Sequence, residues 1–406
     1  MKAALHSMAA PTNWTAISVI VGSGIAAALQ VGKGAIAAPM LQDDLGIDLT
    51  AIGWFAGIFA LIGLFGGIPA GAFAARFGAR RILMIGLLVT ALGGALGAAL
   101  PGLPSLFIGR VIEGAGFLLV TVAAPSLIGE VARPADRDLA FALWSCFMPV
   151  GMASAMLAGP LFGDWRAMWW ASCALALAIC ATVPLVIPAS EQSRSMSFQS
   201  LRHDTLIVLS DRRAVGLSLT FALFALMFFA VFSFLPVLLM ERLRVTHQTA
   251  GLLSALVLAV NVIGNLAAGM LLSRGLGRTA LLIAACLVMG LAGSGIFLPV
   301  LPDAAAFALC LLFSAFGGVI PTILLSSAPV VAPAAGLVPV VLGLILQGNN
   351  LGQILGPTAI GAAQDRLGWE SAAYIVAAAA MTAVILVRST LTRIGPESFN
   401  KGGGER

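Results

Sequence analysis

From residue 14 to residue 389 the chain is a succession of apolar stretches, each ended by charged residues or by Pro and Gly. A helix rises about 1.5 Å per residue and a bilayer core is roughly 30 Å thick, so about 20 apolar residues cross it. Twelve stretches qualify: residues 14–39, 51–75, 80–99, 104–130, 136–161, 166–188, 214–240, 248–273, 279–299, 303–331, 336–362 and 369–389. With 60% hydrophobic and 10% charged residues, the composition lies far from that of soluble domains. The expected fold is an all-α membrane protein with 12 transmembrane helices, embedded in a lipid bilayer.

Orientation follows from the basic residues, because Lys and Arg are retained on the cytoplasmic side. With both termini cytoplasmic, sixteen of the 22 Lys and Arg lie inside, against four outside (Arg166, Arg242, Arg244 and Arg366); Lys33 and Arg110 lie in the membrane. The formal charge of +5 is therefore a consequence of topology, and no nucleic-acid partner is expected. The five Cys all fall within predicted helices, without a CxxC pair or a His cluster, and read as buried small side chains. No metal and no cofactor is expected. The first apolar run is too long for a cleavable signal peptide and reads as helix one.

Signals recur at an offset of about half the chain, the mark of a duplication. Arg76-Phe-Gly-Ala-Arg80-Arg81 answers Arg274-Gly-Leu-Gly-Arg278, and Gly159-Pro160 answers Gly356-Pro357. Asp164-Trp165-Arg166 answers Gly368-Trp369-Glu370, and Ala124-Pro125 answers Ala328-Pro329. Four matches in one order imply two six-helix bundles, over residues 1–188 and 214–389, with residues 189–213 as a solvated cytoplasmic linker and 390–406 as a cytoplasmic tail.

Along essentially its whole length the chain resembles the major facilitator superfamily of secondary transporters. Gly71-Ala-Phe-Ala-Ala75-Arg76-Phe77-Gly78-Ala79-Arg80-Arg81 is similar to that family's loop between helices two and three, and Arg110-Val-Ile-Glu113-Gly114-Ala-Gly116 to its helix-four motif. Ala75 departs from the Asp usual at that place, which removes one member of the charge relay the family uses at its cytoplasmic gate. Gly159-Pro160 partly resembles the helix-five motif of drug and proton antiporters. The resemblance implies two bundles rocking about a midplane site lined by helices 1, 4, 7 and 10. It also implies gating roles for Arg76, Gly78, Arg80, Arg81, Gly159 and Pro160.

Three ionisable side chains stand inside apolar runs: Lys33, Arg110 and Glu113. A charge at membrane depth costs about 2.5 to 3.5 kcal/mol or more, so such residues mark solute or proton handling by default. Counting along helices one and four puts all three about 9 to 14 Å below the outer boundary, and Arg110 and Glu113 share a helix face. Either Glu113 neutralises Arg110 or Lys33 and braces the two helices, or Glu113 carries a coupling proton while Lys33 and Arg110 attract an anionic group.

Charge is confined to the first half: matching Pro39 with Pro236 sets Ala230 opposite Lys33. Helix seven instead carries Phe221, Phe224, Phe228 and Phe232 on one face, as packing or as a ligand shelf. Asn261 on helix eight, and Gln347 and Asn350 on helix eleven, either join helices or bind a polar ligand. The expected function is secondary active transport of a small anionic or zwitterionic organic solute across a bacterial-type inner membrane, by alternating access, proton-coupled, in a monomer. Multidrug efflux by proton antiport and a non-transporting membrane sensor are the alternatives. No nucleophile, base and oxyanion set points to an enzyme.

Overall fold

The computed structural model describes residues 12–100, 102–133, 136–188, 198–298, 301–334 and 337–391. The first half contains α1 (Trp14–Ile36), α2 (Ala38–Leu45), α3 (Leu49–Ile58), α4 (Leu61–Phe77), α5 (Ala79–Ala99), α6 (Leu103–Val131), α7 (Arg137–Ser145), α8 (Phe147–Ala158) and α9 (Trp165–Val186). After α10 (Phe198–Ser210) come α11 (Arg212–Phe232), α12 (Leu235–Leu243), α13 (His247–Ser273), α14 (Arg278–Phe297), α15 (Asp303–Val331), α16 (Val338–Leu367) and α17 (Glu370–Leu391).

By length and composition, eleven candidate membrane spans occur among the described residues. The remaining expected span falls on α16, whose 30 residues reach about 45 Å. Gln347, Asn349, Asn350 and Gln353 make its middle less apolar than the others.

Spans one, two, five and seven are each built from two helices rather than one. Pro39 opens α2 and Pro236 opens α12. A proline has no N–H to donate to the carbonyl four residues back, so the helix breaks just before it in both halves. The linker also departs from solvated coil. Part of it forms α10, which buries Val208 in the core and leaves Leu206, Ile207 and Leu209 exposed.

The duplication is visible in packing. A Cβ on Gly151 would stand 2.5 Å from Ile25 O, seating α8 on α1. A Cβ on Gly352 would fall inside van der Waals contact of Ala222 O, which seats α16 on α11 in the same way. The repeated tryptophans have one job. Trp165 Nε1 donates to Asp44 Oδ2 at 2.9 Å, and Trp369 Nε1 donates to Glu241 Oε2 at 2.8 Å. Each ties the extension of a bundle's first span to the start of its last.

The two bundles meet along α3 and α4 against α16, and along α8 against α13. Asn13 N donates to Val131 O and Thr279 Oγ1 donates to Leu391 O, so the start of α1 and the end of α17 lie beside the cytoplasm-expected ends of their bundles.

Candidate substrate and coupling site

Local packing explains how three charges survive in the first bundle. Gly93 and Gly109 let α5 and α6 touch backbone to backbone, and Gly114 rests on Phe59 O. That close approach, with Gly94 facing Glu113 and Lys33, leaves room for charged side chains where larger residues would fill the core.

Lys33 Nζ lies 2.6 Å from Glu113 Oε1 and donates to Ser172 Oγ at 3.0 Å. Arg110 Nη1 donates to Glu113 Oε2 at 2.7 Å and to Gln30 O at 2.8 Å. Lys33 and Glu113 are 0% exposed and Arg110 is 1%. The Lys33 ammonium sits 4.4 Å from the Trp169 ring centroid, and the Arg110 guanidinium sits 4.8 Å from Phe55 and 4.5 Å from Phe59. Such contacts replace part of the lost hydration, at roughly 0.5 to 2 kcal/mol each.

Glu113 thus uses one oxygen for each basic group, and the enclosed cluster sets two bases against one carboxylate. Arg110 Nε is buried without a partner. Removing an unbalanced charge from water is costly unless another charge meets it. Arg110 Nε and the pairing of one carboxylate with two bases are thus the two unusual features of this enclosed cluster.

At the matching positions the second bundle has no ionisable side chain. Aligning Ala124-Pro125 with Ala328-Pro329 makes Ser314 and Gly317 the counterparts of Arg110 and Glu113. Phe228 lies 4.2 Å from Phe232 between ring centroids, and Phe232 lies 6.4 Å from Phe313. A Cβ on Gly317 would meet Asn261 Nδ2, Met289 and Phe228 at 3.5 to 3.6 Å. Phe221, Phe224, Phe228 and Phe232 are all buried.

The three amides proposed for binding each contact a helix. Asn261 Nδ2 donates to Ser314 O at 3.0 Å and its Oδ1 accepts from Asn265, which joins α13 to α15. Asn350 fits the notch at Gly63, where a Cβ would stand 2.6 Å from its amide, and Gln347 lies against Gly67. Both face α4 across the junction between bundles.

Among the gating candidates, Gly78 has φ 87° and starts α5, a conformation that only glycine adopts without strain. Arg80 Nη2 donates to Pro184 O at 3.1 Å, and Arg81 is exposed. Arg76 lies in α4, at a position whose side chain is outside the described ones. Gly159 and Pro160 form a 3-10 turn at the end of α8. A Cβ on Gly159 would meet Ile36 at 2.6 Å, and one on Gly251 of α13 would meet Pro160 at 2.8 Å and Ile36 at 3.4 Å. This pair therefore stands at the contact between bundles.

One polar link crosses the same end of the molecule. Asp365 Oδ2, in the last turn of α16, accepts from Thr50 N at 2.7 Å and Thr50 Oγ1 at 2.6 Å. Asp48 Oδ1 accepts from Ala51 N at 2.7 Å, so α3 is capped from its own bundle and from the other. Carboxylates suit that position because the first N–H groups of a helix lack partners. Between Gly57 and Ile354 the helices remain tight, with a Cβ-to-carbonyl distance of 2.9 Å, and at Gly67 the gap to Gln347 is 3.4 Å.

Ser172, Trp169, Gln30, Phe55 and Phe59 complete the charge cluster and were not singled out from sequence. Only their position in apolar runs distinguished them, which is the pattern of ordinary core residues.

The profile of the Major Facilitator Superfamily matches residues 19–346. The chain belongs to the major facilitator superfamily. A superfamily relative, the puromycin resistance protein pur8 of Streptomyces alboniger, is 33% identical over 162 residues, 38% of this chain and 32% of that one. The 3-(3-hydroxy-phenyl)propionate transporter of Escherichia coli (strain K12) is 27% identical over 239 residues, covering 56% of this chain and 57% of its own. The matches thus span about a third to somewhat over half of these relatives. Among solved structures, a D-xylose-proton symporter superposes with a TM-score of 0.75 at 17% identity, over 95% of this chain and 99% of the other. That likeness establishes the fold.

Proposed function

We propose that the chain moves a small organic anion across a bacterial-type inner membrane by alternating access, coupled to protons and acting as a single chain. The observation that carries this reading is the enclosed cluster of Lys33, Arg110 and Glu113 with its excess positive charge and the free Nε of Arg110. An anion that engages Arg110 takes a counter-charge from Glu113. A proton on Glu113 then restores the original charge count, so anion and proton travel together without enclosing a new net charge. Lys33 acts from within the bundle, through Glu113, while Arg110 is the residue that meets the cargo.

The basic-residue bias supports an outward position for the Thr50–Asp365 end, and with that end closed the cargo reaches the site from the cytoplasm. Gly159 and Pro160 gate that outer seal, and the Gly78 turn with Arg80 anchors the opposite gate. The named cargo of the Escherichia coli relative, an aromatic acid, supports the anionic reading. Efflux of apolar compounds along the Phe221 to Phe232 face is the second reading, supported by the resistance function in the name of the Streptomyces relative.

Reconstituted vesicles separate coupling from binding. Glu113→Gln combined with Lys33→Met keeps the cluster at one net positive charge. It is expected to exchange labelled carboxylate across the membrane but not to accumulate it under a pH gradient. Accumulation with the wild-type pH dependence would refute Glu113 as the proton carrier. Transport confined to lipophilic cations would refute the anionic cargo.

A further inference from the structure

The faces of α16 separate cleanly. Gly348, Gly352 and Gly356 lie against Ser218, Ala222 and Leu226 of α11. Asn350, Ile354 and Pro357 lie against Gly63, Gly57 and Gly53 of the other bundle. Successive residues turn by about 100°, so these two arcs are on opposite sides of the helix. Gln353 falls midway between them, on the side away from Leu355, which is 44% exposed. It therefore points toward the junction of α11, α16 and the first bundle.

Gln353 is 1% exposed, and neither its Oε1 nor its Nε2 has a hydrogen-bond partner. A buried amide left unpaired on both atoms bears its full desolvation penalty, and native proteins tolerate this rarely. Its neighbour Ile354 is seated on Gly57, between Phe55 and Phe59 in sequence, and those two rings cover the Arg110 guanidinium. Two buried groups with unused hydrogen-bonding capacity, Arg110 Nε and Gln353, thus stand at one level, one in each bundle.

We propose that Gln353 is a specificity-determining residue that contacts the cargo at its uncharged polar end while Arg110 meets the carboxylate. This rests on the anionic reading above. A primary amide offers donors and an acceptor side by side, which a hydroxyl, itself donor and acceptor, satisfies with both atoms used. The class of cargo is accordingly a hydroxylated carboxylate. A cargo held by both bundles also explains how binding communicates between them: the Arg110 and Gln353 ends must move together when the bundles rock.

The test uses the purified full chain and two probes, 3-phenylpropionate and its ring-hydroxylated counterpart, read by thermal shift over a concentration series. In the wild type the hydroxylated probe is expected to half-saturate at roughly tenfold lower concentration, the worth of about one buried hydrogen bond. Gln353→Met should make the two probes equal and leave the ligand-free melting temperature unchanged or raised, because an unpaired polar group has been removed. Gln353→Leu serves as a second variant with the same expectation. A retained preference in the variants overturns the role of Gln353 while leaving the anionic cargo in place. A fall of several degrees without ligand in both variants also overturns it, by showing that the amide has a partner within the protein. If neither probe shifts the wild type, the anionic reading fails and Gln353 loses its ligand class with it.

Discussion

Lys33 Nζ lies 2.6 Å from Glu113 Oε1, and neither side chain is exposed. Because Arg110 holds the other oxygen of Glu113, substitutions in this cluster are unequal. Lys33→Met leaves one cation and one anion, whereas Glu113→Gln leaves two enclosed cations. Glu113→Gln alone is expected to cost about 3 to 5 kcal/mol, the usual result of stranding a buried charge. Lys33→Met should cost clearly less, and adding it to Glu113→Gln should recover part of the loss. Chemical or thermal unfolding in detergent measures all three; equal losses for the two single variants would contradict the charge balance.

Among the described residues Asp365 joins the bundles through Thr50, with Asp365 exposed and Thr50 half-buried. Asp365→Ala is expected to shift the population toward opening of this end by roughly fivefold, the worth of about one net hydrogen bond. Spin labels at Asp43 and Glu370, exposed positions on the two bundles at the same end, report this as a growing long-distance component. An unchanged distance distribution would show that packing alone keeps the end shut.

Glycine on α3 sets how closely the bundles approach. A Cβ on Gly53 would strike the Pro357 carbonyl, a backbone atom that cannot step aside, whereas a Cβ on Gly22 of α1 meets nothing within 4 Å. Gly53→Ala should therefore open the same pair of labels and lower the melting temperature. Gly22→Ala should leave both unchanged, or add up to about 1 kcal/mol from helix propensity.

Trp165, donating to Asp44, holds that carboxyl below the ordinary 3.8, with the Arg166 guanidinium helping. A lowered carboxyl favours the folded state above its unfolded value, and the contribution fades as pH falls through the lowered value. At neutral pH the link is complete. Trp165→Phe is expected to bring the Asp44 titration back toward the ordinary value, measured by carboxyl carbon chemical shifts, and to weaken the acid dependence of melting below about pH 4. A titration that does not move would assign the shift to Arg166 alone.

Hydropathy, an internal repeat and stranded charge can all be read along a sequence, and they pointed to a helical membrane fold and to the three charges that the first bundle brings together. The offset between Trp165 and Trp369 even marked a contact, although not its partner carboxylates. Which faces meet is a different kind of information. Asn350 and Gln347 look like ligand groups along the chain, yet the structure seats them on Gly63 and Gly67. Gln353, one turn beyond Asn349, is buried with both amide atoms unpaired. Thr50 and Asp365 find each other across 315 residues. Helix periodicity fixes the angle of each side chain about its own axis, but only the packing of one bundle on the other decides what stands opposite. That packing is set by backbone approaches at glycines, and a side chain's chemistry gives no sign of them in the sequence.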